Sequence, residues 1–229
     1  MKKKYLMSKQ AADSDSDDDT AFDPGSLFGS LLKKNDDIRV DGNKIFFHKD
    51  VTTESCLNLV FMLKQTIKKL KNAADYMGLA EYPPIYLFIN SNGGNYYAGI
   101  SAYDHIKSMN YPIYTVIDGM AASAGTFISL AGKKRYIMKS GWVLIHQLKT
   151  WMSGYNTFEE LKDEFANSNN IMKSLTRMYN ENTGIPKKRL DTFFKHDLWI
   201  DSKEALELGI VDGIYGCDVE QGPSKKRKC

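Results

Sequence analysis

The sequence predicts an α/β fold, strands and helices in layers, and three observations predict it. Ile85-Tyr86-Leu87-Phe88-Ile89 is a continuous apolar run stopped by the turn Asn92-Gly93-Gly94, as expected of a buried parallel strand. Residues 111–117 repeat the pattern and feed a run of Ala, Gly and Thr that reads as a helix of small residues. Residues 157–183 carry Phe158, Leu161, Phe165, Ile171, Met172, Leu175 and Met178, close to the spacing of one face of a long helix. Strands alternating with helices point to α/β layers.

Order is expected to begin near Ser26. Ile38-Arg39-Val40 and Lys44-Ile45-Phe46-Phe47 read as short strands around the turn Asp41-Gly42-Asn43. Residues 52–71 place Leu57, Val60, Phe61, Leu63, Ile67 and Leu70 at helical spacing, with Ser55 or Thr53 as the cap. Residues 73–84 read as a linker closed by two prolines. Beyond the strand at 85–89, the spacing predicts a helix over 97–109, a strand over 111–117 and a helix over 123–130. Short strands follow at 135–138 and 143–145. The long helix ends at Gly184, with Pro186 beyond it. Residues 202–208 form a short helix opened by Ser202 and terminated by Gly209, and residues 210–214 close the domain. No internal repeat is present.

A chain of 229 residues supports one substantial core with room for flexible ends. With 42% hydrophobic and 26% charged residues, the composition is that of a soluble globular protein. Residues 1–25 form an acidic tail in which 13–19 hold only Asp and Ser, too polar to order themselves. Residues 26–216 are the folded domain, and residues 217–229 form a basic tail, read as a plain solvated end rather than an import signal. A net charge of +3 is too small to make nucleic acid the main partner. No apolar run approaches the roughly 20 residues that cross a bilayer, and the basic start lacks the apolar stretch of a signal peptide. Cys56, Cys217 and Cys229 make neither an even framework nor a metal-ligand pattern, which fits a reducing, cytoplasmic compartment.

Three segments carry chemistry. Asp118-Gly119-Met120-Ala121-Ala122-Ser123-Ala124-Gly125-Thr126 sets one hydroxyl at a sharp bend between a strand and a helix. A serine there is either an ordinary helix cap or an exposed nucleophile. The small residues around Ser123 resemble a nucleophile elbow, with Ala121 in place of the usual first glycine. Gly93-Gly94 is a tight turn whose N–H groups, at positive φ, make a nest for an anion. The amides of Gly94 and Ala124 are the candidate oxyanion donors. His146 ends an apolar strand and is the candidate base, with His196 a weaker one. His48 and His105 fall where solvation explains them. The acid that orients the base is Asp191, Asp197 or Asp201, which spacing does not separate.

In order along the chain, Asn90-Ser91-Asn92-Gly93-Gly94, Gly119-Met120-Ala121-Ala122-Ser123, Ile145-His146-Gln147 and residues 197–212 resemble the ClpP family of ATP-dependent serine peptidases. The resemblance spans residues 37–214. It implies a crotonase-like (ClpP-like) head of sheet and helices, with a protruding handle helix at about 157–183. It also implies heptameric rings, single or stacked in pairs, around a chamber that cuts unfolded polypeptides. An Hsp100 (AAA+) unfoldase is the implied partner and the user of ATP, so this chain needs no cofactor or metal. Carried over by position, Ser123 is the nucleophile, His146 the general base and Asp197 the orienting acid, with Gly94 and Ala124 as oxyanion donors. Tyr86 and Phe88 fall where the family has aromatics that dock the unfoldase.

The chain departs from the family pattern at several points. Asn92 stands where proline usually precedes the glycines, and His196 where arginine pairs across rings. Residues 148–154, with Trp151 and Met152, replace the Pro- and Gly-rich strand that binds extended peptide. The linker at 73–84 is longer than usual, and the acidic start lacks an apolar gating loop. The altered substrate strand and His196 keep a second reading open, a structural or regulatory ring subunit with little activity. A third, from the crotonase-like fold itself, is an acyl-CoA enzyme that uses the oxyanion amides without a serine nucleophile.

Overall fold

Parallel strands require crossovers long enough to hold a helix. Residues 38–150 and 153–217, which this computed structural model describes, meet that requirement repeatedly. The expectations for the two tails, for order beginning near Ser26, and for Trp151 and Met152 lie outside the described residues. The antiparallel pair β1 (Arg39–Asp41) and β2 (Lys44–Phe47) turns on Gly42, at φ 58°. Helix α1 (Thr53–Tyr76) leads to β3 (Ile85–Ser91), and α2 (Tyr96–Ser108) leads to β4 (Ile113–Ala122). Helix α3 (Ala124–Leu130) precedes β5 (Lys134–Ile137) and β6 (Trp142–Leu144). The chain closes with α4 (Phe158–Asn182), α5 (Lys187–Lys195), β7 (Trp199–Asp201), α6 (Ser202–Glu207) and β8 (Gly213–Ile214).

Strands run β1-β2-β3-β4-β5-β8 across the sheet, parallel from β2 onward. β4 is long and has two successive partners on one edge. Residues 114–117 pair with β5, and residues 120–122 pair with β6, which in turn pairs antiparallel with β7. The switch falls at Gly119, at φ 91°, where an added Cβ would lie 2.8 Å from the Asn90 side-chain nitrogen. That branch carries the far end of β4 away from β5 and toward the segment holding His146.

The helical face of the sheet is the main core. Ile85, Leu87 and Ile89 of β3 and Ile117 of β4 are completely buried there, each worth about 1.5–3 kcal/mol against exposure. The alternate residues Phe88 and Val116 join Tyr136, Phe46, Tyr86, Tyr114 and Tyr215 in an aromatic layer on the other face. Tyr86 is only half-buried, so β3 is covered less evenly than its apolar run predicts.

Several boundaries differ from expectation for local reasons. Helix α1 runs on to Tyr76, taking residues that read as linker, and its cap is Thr52. The Thr52 hydroxyl accepts from the Ser55 N–H while the Ser55 hydroxyl accepts from the Thr52 N–H. Asp201, not Ser202, caps α6 by accepting from the Glu204 N–H at 2.8 Å. Helix α5 has no counterpart in the sequence reading, although Leu190, Phe193 and Phe194 bury it on one side. The buried residues of α4 are Leu175, Met178 and Tyr179, all in its last turns. Its first half, with Phe158 and Phe165 about 70% exposed, stands clear of the core as a handle. Cys56 is a free buried thiol.

Candidate active site

Ligand sites of open α/β sheets lie past the carboxyl ends of the parallel strands, and three such ends meet here. Gly93 and Gly94 follow β3, Ser123 follows β4, and His146 lies two residues beyond β6. Ser91 pairs with Ala121 and Ala122 with Leu144. The register therefore sets the serine between the glycine turn and the histidine segment. One further bond fixes it: the Ser123 N–H donates to the Leu144 carbonyl at 2.8 Å.

Ser123 has φ 52° and ψ −127° and is the only non-glycine residue at positive φ among the described residues. Such a backbone costs on the order of 1–3 kcal/mol and persists only where its surroundings enforce it. Its position is that of a helix cap, yet its side chain makes no capping bond. The hydroxyl is thus not committed to the helix, against the ordinary reading of a serine at this bend. The enforcing contacts come from Gly93, where an added Cβ would lie 2.6 Å from both the Ala122 oxygen and the Ser123 Cβ. They come also from Thr126, whose hydroxyl donates to the Ser123 carbonyl at 2.6 Å. Because that carbonyl only accepts, the Thr126 proton is spent there, and the buried Tyr179 hydroxyl donates to Thr126 Oγ1 at 2.6 Å. Burial raises the Tyr179 pKa, so the phenol keeps the proton it donates. Thr126 entered the sequence reading only as one of the small residues after Ser123, and Tyr179 not at all. Tyr179 lies one position past the Leu175–Met178 stripe, and only the fold joins it to residue 126.

The glycine turn is held from behind. Val51 donates to the Gly93 carbonyl and accepts from the Asn95 N–H, both at 2.7 Å. Gly93 donates its own N–H to Ser91 Oγ at 3.1 Å. The Gly94 N–H, at φ 141°, has no acceptor among the described residues. As the first residue of α3, Ala124 likewise has an N–H without an intrahelical partner. The Cβ position of Gly93 is 3.0 Å from the Ala124 nitrogen, so turn and helix start lie side by side. Two free amides flanking an uncommitted hydroxyl form a cradle for a developing oxyanion.

His146 is half-buried, and its Nδ1 contacts the Gln147 carbonyl at 2.5 Å. A carbonyl only accepts, so Nδ1 carries the proton and Nε2 keeps the lone pair needed by a general base. None of the three candidate acids bonds His146 among the described residues. Asp201 is occupied as the cap of α6. Asp191, on α5, and Asp197 are both exposed. Asp197 lies two residues before β7, whose pairing with β6 ends at Leu144↔Trp199, in a turn closed by the Leu198 N–H donating to the His196 carbonyl at 2.8 Å. Its carboxylate is bonded to Lys149 Nζ at 3.3 Å rather than to His146. That bond ties Asp197 to the segment that follows His146, through Lys149 and not through the imidazole. His196 is exposed, while His48 pairs with Asp118 at 3.1 Å and is not merely solvated.

Beside His146, a groove of about 370 Å³ runs between residues 147–150 and α4, lined by Leu148, Leu161, Phe165 and Met172, with Glu164 at its wall. The described residues contain no group of three or more side chains able to hold a metal. No described helix is long and apolar enough to cross a membrane.

A family model described as Clp protease matches residues 60–217. The chain is 32% identical over 196 residues to the ATP-dependent Clp protease proteolytic subunit 1 of Chlamydia muridarum (strain MoPn / Nigg), covering 81% of this chain and 95% of that protein. It is 31% identical, with the same coverage, to the protein of that name from Chlamydia trachomatis serovar D. It is 27% identical to the ATP-dependent Clp protease proteolytic subunit 2 of Treponema pallidum (strain Nichols), covering 76% of this chain and 87% of that protein.

Proposed function

The chain belongs to the Clp protease family, and from that premise we propose that it is a serine-type endopeptidase, the proteolytic subunit of an ATP-dependent protease. The observation that carries this reading is the strained backbone of Ser123, which presents a hydroxyl free of any capping bond beside two amides with no acceptor among the described residues. Ser123 Oγ attacks the peptide carbonyl as His146 Nε2 takes its proton. The tetrahedral oxygen is held by the amides of Gly94 and Ala124. His146 then protonates the leaving amine, and water, activated by the same nitrogen, hydrolyses the acyl-enzyme. Asp197 stabilises the imidazolium once its carboxylate passes from Lys149 to His146 Nδ1. The apolar groove beside His146 takes an aliphatic or aromatic side chain of the bound polypeptide.

The family membership supports ring assembly and an Hsp100 unfoldase that uses ATP to deliver unfolded chains, in a cytoplasmic setting. Purified protein assayed with a fluorogenic peptide, beside Ser123→Ala, tests the chemistry. Loss of the nucleophile is expected to lower kcat by on the order of 10⁴ or more, and equal rates in the two proteins would end the serine mechanism.

One observation favours the second reading, a weakly active ring subunit. His146 Nδ1 is satisfied by its neighbour's carbonyl while Asp197 is held by Lys149. A fluorophosphonate probe separates the two readings: labelling at Ser123 supports the peptidase, and an unlabelled serine in the assembled protein supports the weakly active subunit.

A further inference from the structure

Three lysines from three elements line one cleft at the far end of β4 from the serine. Lys71 comes from α1, Lys107 from α2 and Lys133 from the turn between α3 and β5. The cleft opens at Pro112 and Ile113, ten residues before Ser123, or roughly 33 Å along an extended strand. Its volume is about 500 Å³, and Tyr82, Asn110 and Tyr111 complete its wall.

That wall is built. The Tyr111 hydroxyl donates to the Pro83 carbonyl at 2.7 Å, and the ring stacks on Tyr82 with centroids 5.9 Å apart. Lys71 Nζ lies 5.4 Å from the centre of the Tyr82 ring. None of the three ammonium groups forms an ion pair among the described residues. Two carboxylates near the cluster are already engaged, Asp75 with the Tyr82 hydroxyl and Asp212 with Arg135 at 2.8 Å. Burial lowers the pKa of Lys107, Arg135 adds to that, and Asp212 opposes it. Lys107 and Lys133 reach solvent and Lys71 is half-buried, so the three set a positive field over the mouth of one cleft that draws an anion toward it.

We propose that this cleft binds a polyphosphate anion, as inorganic triphosphate or as the phosphate tail of a nucleotide, through Lys71, Lys107 and Lys133. Ammonium groups suit phosphate as point charges, whereas a planar carboxylate is matched better by the fork of an arginine. Three cations balance most of the charge of a triphosphate, and the cleft has room for more than a single phosphate. Its apolar walls, Ile106 and Pro112 among them, keep those charges from being fully screened. The site does not depend on the proteolytic reading, since none of its residues belongs to that machinery.

Calorimetry on the full-length protein at physiological salt tests it, with tripolyphosphate, ATP and a poly-glutamate peptide as separate ligands. Saturable binding of tripolyphosphate, one per chain, is expected, weakened at least tenfold in K71Q/K107Q/K133Q and several-fold in the single variant K133Q. The control K187Q/K188Q, on α5 away from the cleft, should bind as the parent does. ATP binding with the same losses assigns a nucleotide source, and tripolyphosphate binding without ATP assigns an inorganic one. No saturable binding, equal loss in the control, undiminished binding by the triple variant, or binding of the peptide alone would each overturn the proposal. Peptide hydrolysis and thermal melting are followed in every variant, so a failure here is separable from a failure to fold and from any failure of the peptidase.

Discussion

Ser123 keeps its unusual backbone because Gly93 leaves no room for the bend to relax. A methyl at residue 93 would meet the Ser123 Cβ and the Ala122 oxygen at 2.6 Å, and φ 92° is unfavourable to any L side chain. Gly93→Ala is therefore expected to lower stability by more than about 1 kcal/mol and to abolish peptide hydrolysis, read by melting temperature and kcat together. Among the acids, Asp197→Asn should lower kcat by on the order of 10⁴ if Asp197 orients His146. Asp201→Ala should instead lose a helix cap, about 1 kcal/mol of stability, with kcat retained. The reverse pattern would move the role to Asp201. The residue types of the site were legible because serine, histidine and paired glycines at strand ends have few other uses together. Thr126, Tyr179 and Lys149 were not, since each acts through a contact that the sequence spacing does not encode.

At the scale of single elements, caps and length were the weak points. The Thr157 hydroxyl accepts from the Glu160 N–H, while the Glu160 carboxylate accepts from the Thr157 N–H at 2.7 Å. These bonds to Thr157 hold the Glu160 carboxyl below its usual range. A lowered folded-state pKa makes the stabilisation fully present above the ordinary glutamate range and lost as pH falls through the lowered value. Thr157→Ala is expected to cost about 1 kcal/mol and to weaken that acid dependence, measured by thermal melts from pH 7 to pH 3. Melts of equal acid sensitivity in parent and variant would mean that the box does not hold this helix. The long helix was legible because its apolar residues recur at helical spacing, whereas its protrusion as a handle was an implication of the resemblance alone. Helix α5 escaped notice because nine residues rich in lysine and arginine show a periodicity only once Leu190, Phe193 and Phe194 are known to be buried.

For the whole molecule, exposure asks for an explanation that one chain does not supply. Phe158, Leu161 and Phe165 on the free half of α4, and Leu57 and Phe61 on α1, leave large apolar side chains in water, a cost that the proposed packing against other copies would relieve. The purified protein is expected to show a mass of seven or fourteen subunits by light scattering, and Phe165→Glu to reduce fourteen to seven or fewer. A monomer at micromolar concentration would contradict the ring reading.

Composition and periodicity were enough for the α/β layers, the long helix, and the serine and histidine at strand ends, because burial patterns and turn chemistry are local properties of the chain. Only the tertiary structure decided that Ser123 escapes its cap, that Asp197 is bonded to Lys149 and not to His146, and that Lys71, Lys107 and Lys133 share a cleft. Each depends on strand register or helix packing between residues far apart in sequence. Those distances are set by where the core closes, and the order of residues does not contain them in readable form.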